Sequence, residues 1–152
     1  MGAAYSIKLK KRIKLLENTS LMLRDIKIQL QYLNMPLYEI LSEMKSKNYF
    51  REIIFINECD KFIVSGMDFP DAWKKSIITN SQYYKREEIH KLLHLGANLG
   101  SCNLENQLDI INLYIGYFDN FLEKAKSKQQ KYGSMTLMLS MLLGCMIFLM
   151  VI

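Results

Sequence analysis

The chain has 152 residues and a mass of 17.9 kDa, with 20 Lys+Arg against 15 Asp+Glu. That length supports one domain, and a composition half apolar and 23% charged excludes a disordered chain. Seven Gly and two Pro exclude a collagen-like or linker-rich chain, and Cys59, Cys102 and Cys145, odd in number and in no CxxC pair, exclude a disulfide framework and a Cys-based zinc site and suit a reducing compartment.

Residues 1–14 carry Lys8, Lys10, Lys11, Arg12 and Lys14 and no acid. The start, MGAAYSI, is neither a complete signal peptide nor a span. Gly2 and Ser6 match the short myristoylation pattern, for which chance is the better explanation.

From there every long segment reads as helix, and none keeps a period of two. A first helix is expected over residues 7–33, with Leu16, Leu23, Ile26, Leu30 and Leu33 on one stripe. Asn34-Met35-Pro36 breaks it, and Pro36 suits the first turn of a short helix over 36–45. A link at 46–48 leads to a third helix over 49–65 carrying Phe50, Ile53, Ile54, Ile56 and Phe62, with Gly66 as its stop. Asp68 is placed to cap a fourth helix, with Pro70 in its first turn and Ala72, Trp73 and Ile77 inward. Ser81 is expected to open a fifth helix that runs through Ile89, Leu92, Leu93 and Leu99 to Gly100.

Ser101 or Asn103 then caps the last helix, in which Leu104, Leu108, Ile111, Ile115, Phe118, Leu122 and Ala125 form a 4-3 packing seam. The residues from 15 to 123 hold eleven bases and fifteen acids, so the body is acidic. Positive charge returns at 124–131 as Lys124, Lys126, Lys128 and Lys131. Residues 134–152, SMTLMLSMLLGCMIFLMVI, carry no charge and 15 apolar side chains. As a helix they would reach about 28 Å, close to the thickness of a hydrocarbon core. A buried helix of a soluble core would keep a polar face, and this stretch has none. The reading is therefore all-α: a compact six-helix bundle over 15–131 whose last helix continues through Gly133 into a transmembrane helix at 134–152. The lysines beside the span favour the cytoplasmic side and anionic headgroups, and the 1–14 cluster is expected on the same membrane surface. Nucleic acid is not expected, because the basic runs lack interleaved aromatics.

Little here points to chemistry. His90 and His94 stand at i, i+4 with Glu87 one turn earlier, but HKLLH lacks the zincin glutamate and no third ligand is evident. The glycines form neither a P-loop nor a dinucleotide loop. Cys59 and Cys102 read as packing residues. Neither catalysis nor a cofactor or metal is expected. Gly96 and Gly100 flank Ala97-Asn98-Leu99; Gly100 suits the turn, and Gly96 suits a tight helix crossing with another backbone.

Five pieces, in order, resemble the stage III sporulation protein AB family. They are Leu15-Leu16-Glu17; Met35-Pro36-Leu37-Tyr38-Glu39-Ile40-Leu41; Gly66 through Asp68-Phe69-Pro70 to Ala72-Trp73; Leu95-Gly96-Ala97-Asn98-Leu99-Gly100 followed by Asn106-Gln107-Leu108; and the basic stretch leading into the span. The resemblance marks Pro36, Leu37, Gly66, Ala72 and Trp73 as structural positions. It marks Leu95, Gly96, Leu99, Gly100 and Gln107 as a helix crossing, a turn and a partner surface. It implies a fold similar to the cytoplasmic domain of the type II secretion inner-membrane platform protein. It further implies work in a transenvelope complex between mother cell and forespore. There the protein would join a secretion-type ATPase in the mother-cell cytosol to membrane components, with no chemistry of its own. Two departures stand out. MGAAY occupies the place of the family's hydrophobic start, so that span is expected to be missing through a shortened or trimmed beginning. Asn103 stands where an acid is commoner, and Asn still caps. A different class is a tail-anchored adaptor or coiled-coil regulator, unrelated to sporulation, that dimerises through the 104–125 seam. A third is a small metal-dependent enzyme or sensor using His90 and His94.

Overall fold

The computed structural model describes residues 2–47, 53–99 and 103–152. Among these residues six α-helices follow one another: α1 (Gly2–Ile28), α2 (Leu37–Lys45), α3 (Ile54–Val64), α4 (Phe69–Thr79), α5 (Arg86–Leu99) and α6 (Leu104–Val151). Among the described residues there is no strand, so the fold is all-α.

Helix α1 lies antiparallel along α6. Arg24 pairs with Asp119, Ser20 Oγ donates to Asp119 Oδ1 (2.6 Å), Lys126 Nζ meets Glu17 Oε1 (2.9 Å), and the Tyr5 and Tyr132 rings meet at a tilt, their centroids 5.1 Å apart. Leu9, Ile13, Leu16, Leu23, Ile26 and Leu30 keep the 3–4 spacing and are buried. Leu33 was expected on this stripe but is exposed. The chain passes from α1 into a π-type turn, Gln29–Leu33, whose wider step rotates Gln29 inward and Leu33 out. Asn34, left-handed at φ 48°, ends it.

The end of α3 shows why glycine follows. Gly66, at φ 104°, donates to the Ile63 carbonyl while Met67 donates to that of Phe62, both at 3.0 Å. This is the paired closure that leaves a left-handed residue after a helix. Of the apolar residues that α3 and its entry carry, Ile54 is exposed, whereas Ile53, Phe55, Ile56 and Cys59 are buried. Phe50, Gly100, Ser101 and Cys102 lie outside the described residues. Asp68 does occupy the cap position of α4, although its side chain makes no cap bond.

Helix α5 begins later than Ser81. Residues 81–84 form a turn closed by Tyr84 N–H to the Ser81 carbonyl, and the helix starts at Arg86. The reason is Glu88: from the first turn its Oε2 accepts the Lys85 backbone N–H (2.9 Å), the back-reaching half of a capping box. Asn103 caps α6, its side-chain oxygen accepting from the Asn106 N–H (3.0 Å). From there α6 runs 48 residues, about 72 Å, without interruption at Gly133 or Gly144.

The core gathers between α1, α6 and the α3–α4–α5 layer around Trp73, Phe55 and Phe118. The Phe55 ring meets Trp73 edge-on at 5.3 Å. In the α6 seam Ile111, Ile115, Phe118 and Ala125 are buried with Tyr114 and Phe121, Leu108 and Leu122 are half-buried, and Leu104 at the start is exposed. The seam is thus filled within one chain.

Candidate functional site

Three features are candidates for function: a helix crossing, a cleft at one end of the body, and a basic zone at the other.

The crossing joins α4 to α5. Trp73 is buried, and its Nε1–H donates to the Leu92 carbonyl (2.7 Å). Its indole then fills the side-chain space of Gly96: a Cβ there would sit 2.0 Å from Trp73 Cδ1. The close approach expected at Gly96 exists, but its partner is a ring rather than a backbone. Leu95, Leu99 and Ala72 are fully buried around it. Gln107 Nε2 donates to the Leu99 carbonyl (2.7 Å), so α6 satisfies an orphan acceptor at the end of α5.

Beyond this crossing opens a cleft of about 880 Å³. Met35, Pro36 and Leu37 from the start of α2, Asp68 to Asp71 from the start of α4, and Leu99, Leu104 and Gln107 line it. Segments that carry the family resemblance therefore meet at one place, although they are far apart in sequence. Gly66 is exposed and serves the turn before α4.

The antiparallel pairing sets the third feature. It lays residues 8–14 of α1 beside 124–131 of α6. Lys8, Arg12, Lys124 and Lys128 border one groove. Lys8, Lys10, Lys11 and Lys14 on one helix and Lys124, Lys126, Lys128 and Lys131 on the other are all exposed. Arg12 differs from these neighbours. Its guanidinium turns inward and grips Glu88 with both terminal nitrogens, Nη1 at 2.8 Å from Oε2, and Glu88 is 1% exposed. Sequence reasoning grouped Arg12 with the membrane-surface bases and missed this latch. The available signal was Glu88 three residues after Lys85, concealed by placing the helix start at Ser81.

Above the lysines α6 passes into its apolar end, which is long and apolar enough to cross a membrane and has none of that window buried in protein. The Thr136 and Ser140 hydroxyls donate to the carbonyls of Tyr132 and Thr136 (both 2.9 Å), which satisfies them within the helix.

Buried titratable groups serve packing. Burial pushes the Cys59 thiol up to about 12, opposed by a bond from Ser76 and aided by the Asp60 charge. Burial also raises Tyr84, opposed by its hydrogen bond with Thr19 (2.7 Å) and aided by Glu88. A thiol held neutral in this way is a poor nucleophile. His90 and His94 are exposed on α5, and among the described residues no group of three or more His, Cys, Asp or Glu could hold a metal ion.

A family model described as stage III sporulation protein AB matches residues 1–152. The chain belongs to the stage III sporulation protein AB family. Nothing matches among curated proteins or among solved structures. Membership in this sporulation family implies a role in sporulation, and a helical body with one long apolar C-terminal helix fits such a protein. It also removes the adaptor reading that had no connection with sporulation.

Proposed function

We propose that this member of the family is a non-enzymatic platform subunit of a sporulation channel, a secretion-like transenvelope complex between mother cell and forespore. Its helical body stands in the mother-cell cytosol and α6 holds it in the membrane. There it couples a cytosolic secretion-type ATPase to the membrane proteins of the channel.

One observation carries the reading. The α1–α6 pairing joins two basic clusters, separate in sequence, into a single zone immediately before the apolar end of α6. Positive charge beside a span favours the cytoplasmic side and attracts anionic headgroups, by about 1 kcal/mol per residue near the surface. Lipid is therefore one partner. The buried polar groups support a scaffold over a catalyst: Thr19, Tyr84, Ser76 and Glu88 all make structural hydrogen bonds.

The test is co-purification. The full chain, extracted in detergent from sporulating cells, is expected to bring down the secretion-type ATPase and neighbouring membrane proteins of the channel. No association under any extraction condition would reject the platform reading.

A further inference from the structure

The two ends of the body differ in charge, and the difference is spatial. Lysines surround the end beside the span. The cleft at the start of α6 lies about 45 Å along that helix from residue 134. Among the described residues that line it, the charged side chains are Asp68 and Asp71, both exposed, and none is lysine or arginine. Neither Asp has an ion-pair partner among the described residues. Glu39 and Glu105 stand in the first turns of α2 and α6 and add to the same sign.

Between these acids the surface is apolar. Met35, Leu37 and Phe69 are half-buried in the lining, and Tyr38 and Leu104 remain 54% and 39% exposed at its edge. An apolar recess with an acidic border has a definite complement. A lysine or arginine alone would leave the recess unfilled, and an apolar segment alone would leave both carboxylates uncompensated. Lipid is a poor occupant, because an anionic surface and an acidic cleft repel each other.

We propose that this cleft docks a short segment of the protein's cytosolic partner in which an apolar side chain is flanked by lysine or arginine. The inference rests on the platform reading, which supplies a protein partner on the side away from the membrane. The cleft gives that partner a site and a chemistry: the apolar residue fills the recess against Leu37 and Phe69 while its basic neighbours meet Asp68 and Asp71. Steering by these carboxylates makes the association sensitive to salt.

The experiment uses the full chain in nanodiscs and the secretion-type ATPase of the same organism as probe. Binding is measured at low and high salt for the native chain, for Asp68→Lys with Asp71→Lys, and for Asp68→Asn with Asp71→Asn. The Asp68 side chain makes no cap bond and both positions are exposed, so the near-isosteric Asn pair reads charge with little risk to α4. Charge reversal is expected to weaken binding about tenfold or more and neutralisation by several-fold, and both should flatten the salt dependence. A photo-crosslinking residue at position 38 should capture an ATPase peptide holding an apolar residue beside Lys or Arg. If the native chain binds the ATPase but both variants bind equally well, the docking site is wrong and the platform reading survives. Crosslinks from position 38 to a second copy of the chain or to lipid overturn it equally. If the native chain does not bind the ATPase at all, the platform reading falls and this inference falls with it.

Discussion

Trp73 stands where a side chain of Gly96 would be. The indole Cδ1 is 2.0 Å from the point a Cβ would occupy, and the same ring is tethered by its N–H to the Leu92 carbonyl one turn earlier on α5. The ring therefore cannot retreat without losing its only indole hydrogen bond, and it is wedged edge-on by Phe55. Glycine in a helix costs about 1 kcal/mol against alanine, so Gly96→Ala would stabilise an isolated α5. Here overpacking wins. Gly96→Ala is expected to lower stability by about 1–3 kcal/mol, and Gly96→Leu by more. Urea unfolding of the full chain in detergent, followed by Trp73 fluorescence, measures both. An alanine variant as stable as the native chain would show that the crossing has slack.

The Gly96 result shows what a sequence can and cannot reveal. A glycine inside an amphipathic helix signals that something comes close, but nothing in the pattern says whether a backbone or a ring fills the space. The stripe of α1, the glycine stop after α3, the Asn103 cap and the α6 seam follow from spacing and local chemistry. Three outcomes did not. The π-type turn at 29–33 rotated Leu33 outward, because one wide turn changes the face without changing the composition. The start of α5 slipped from Ser81 to Arg86, because a glutamate reaching back from Glu88 outcompeted a serine cap. The cleft escaped notice because its lining comes from four distant stretches, and no local period reports which helix ends share a space.

The Arg12–Glu88 latch is predicted to behave as a buried pair. Glu88 is almost fully enclosed and Arg12 largely so, at 1% and 16% exposure. Removing one partner leaves the other charge without compensation in a poorly hydrated place. Arg12→Met alone is expected to cost about 3 kcal/mol, and Glu88→Leu alone a similar amount, since it also removes the cap on Lys85. Arg12→Met with Glu88→Leu should recover much of that loss, because well-packed apolar substitutes often match a buried pair. A double-mutant cycle read by denaturant midpoints decides it. Additive single losses would mean that Arg12 acts as a surface base after all.

Alkaline pH should unfold the body earlier than its surface charge suggests. Cys59 and Tyr84 keep their protons in the folded state beyond their ordinary values of 9.0 and 10.0, chiefly because burial penalises the charged forms. The unfolded chain releases those protons first. The stability they contribute is complete below about pH 9 and is lost as pH rises toward 12, the range set by Cys59. Urea midpoints should therefore hold steady from neutrality to pH 9 and fall steeply above it. Cys59→Ala with Tyr84→Phe should make that fall shallower at some cost in starting stability. An equally steep fall in the double variant would assign it to other groups.

The α6 seam offers the clearest separation between a bundle and a dimerising coil. Phe118 and Ile111 are completely buried within the single chain, and Phe118 meets Phe121 edge-on at 5.5 Å. If the seam is an internal core, Phe118→Ala opens a cavity and costs about 3–5 kcal/mol, with no change in the mass of the particle. If it served a partner copy, the same substitution would shift the association state and barely move the unfolding midpoint of the separated chain. Sedimentation and urea unfolding of the detergent-solubilised full chain, done together, read both quantities. The packing of α1 and α5 over this face predicts a large loss of stability and an unchanged sedimentation coefficient. A lighter particle of undiminished stability would return the seam to the role of an interface between copies.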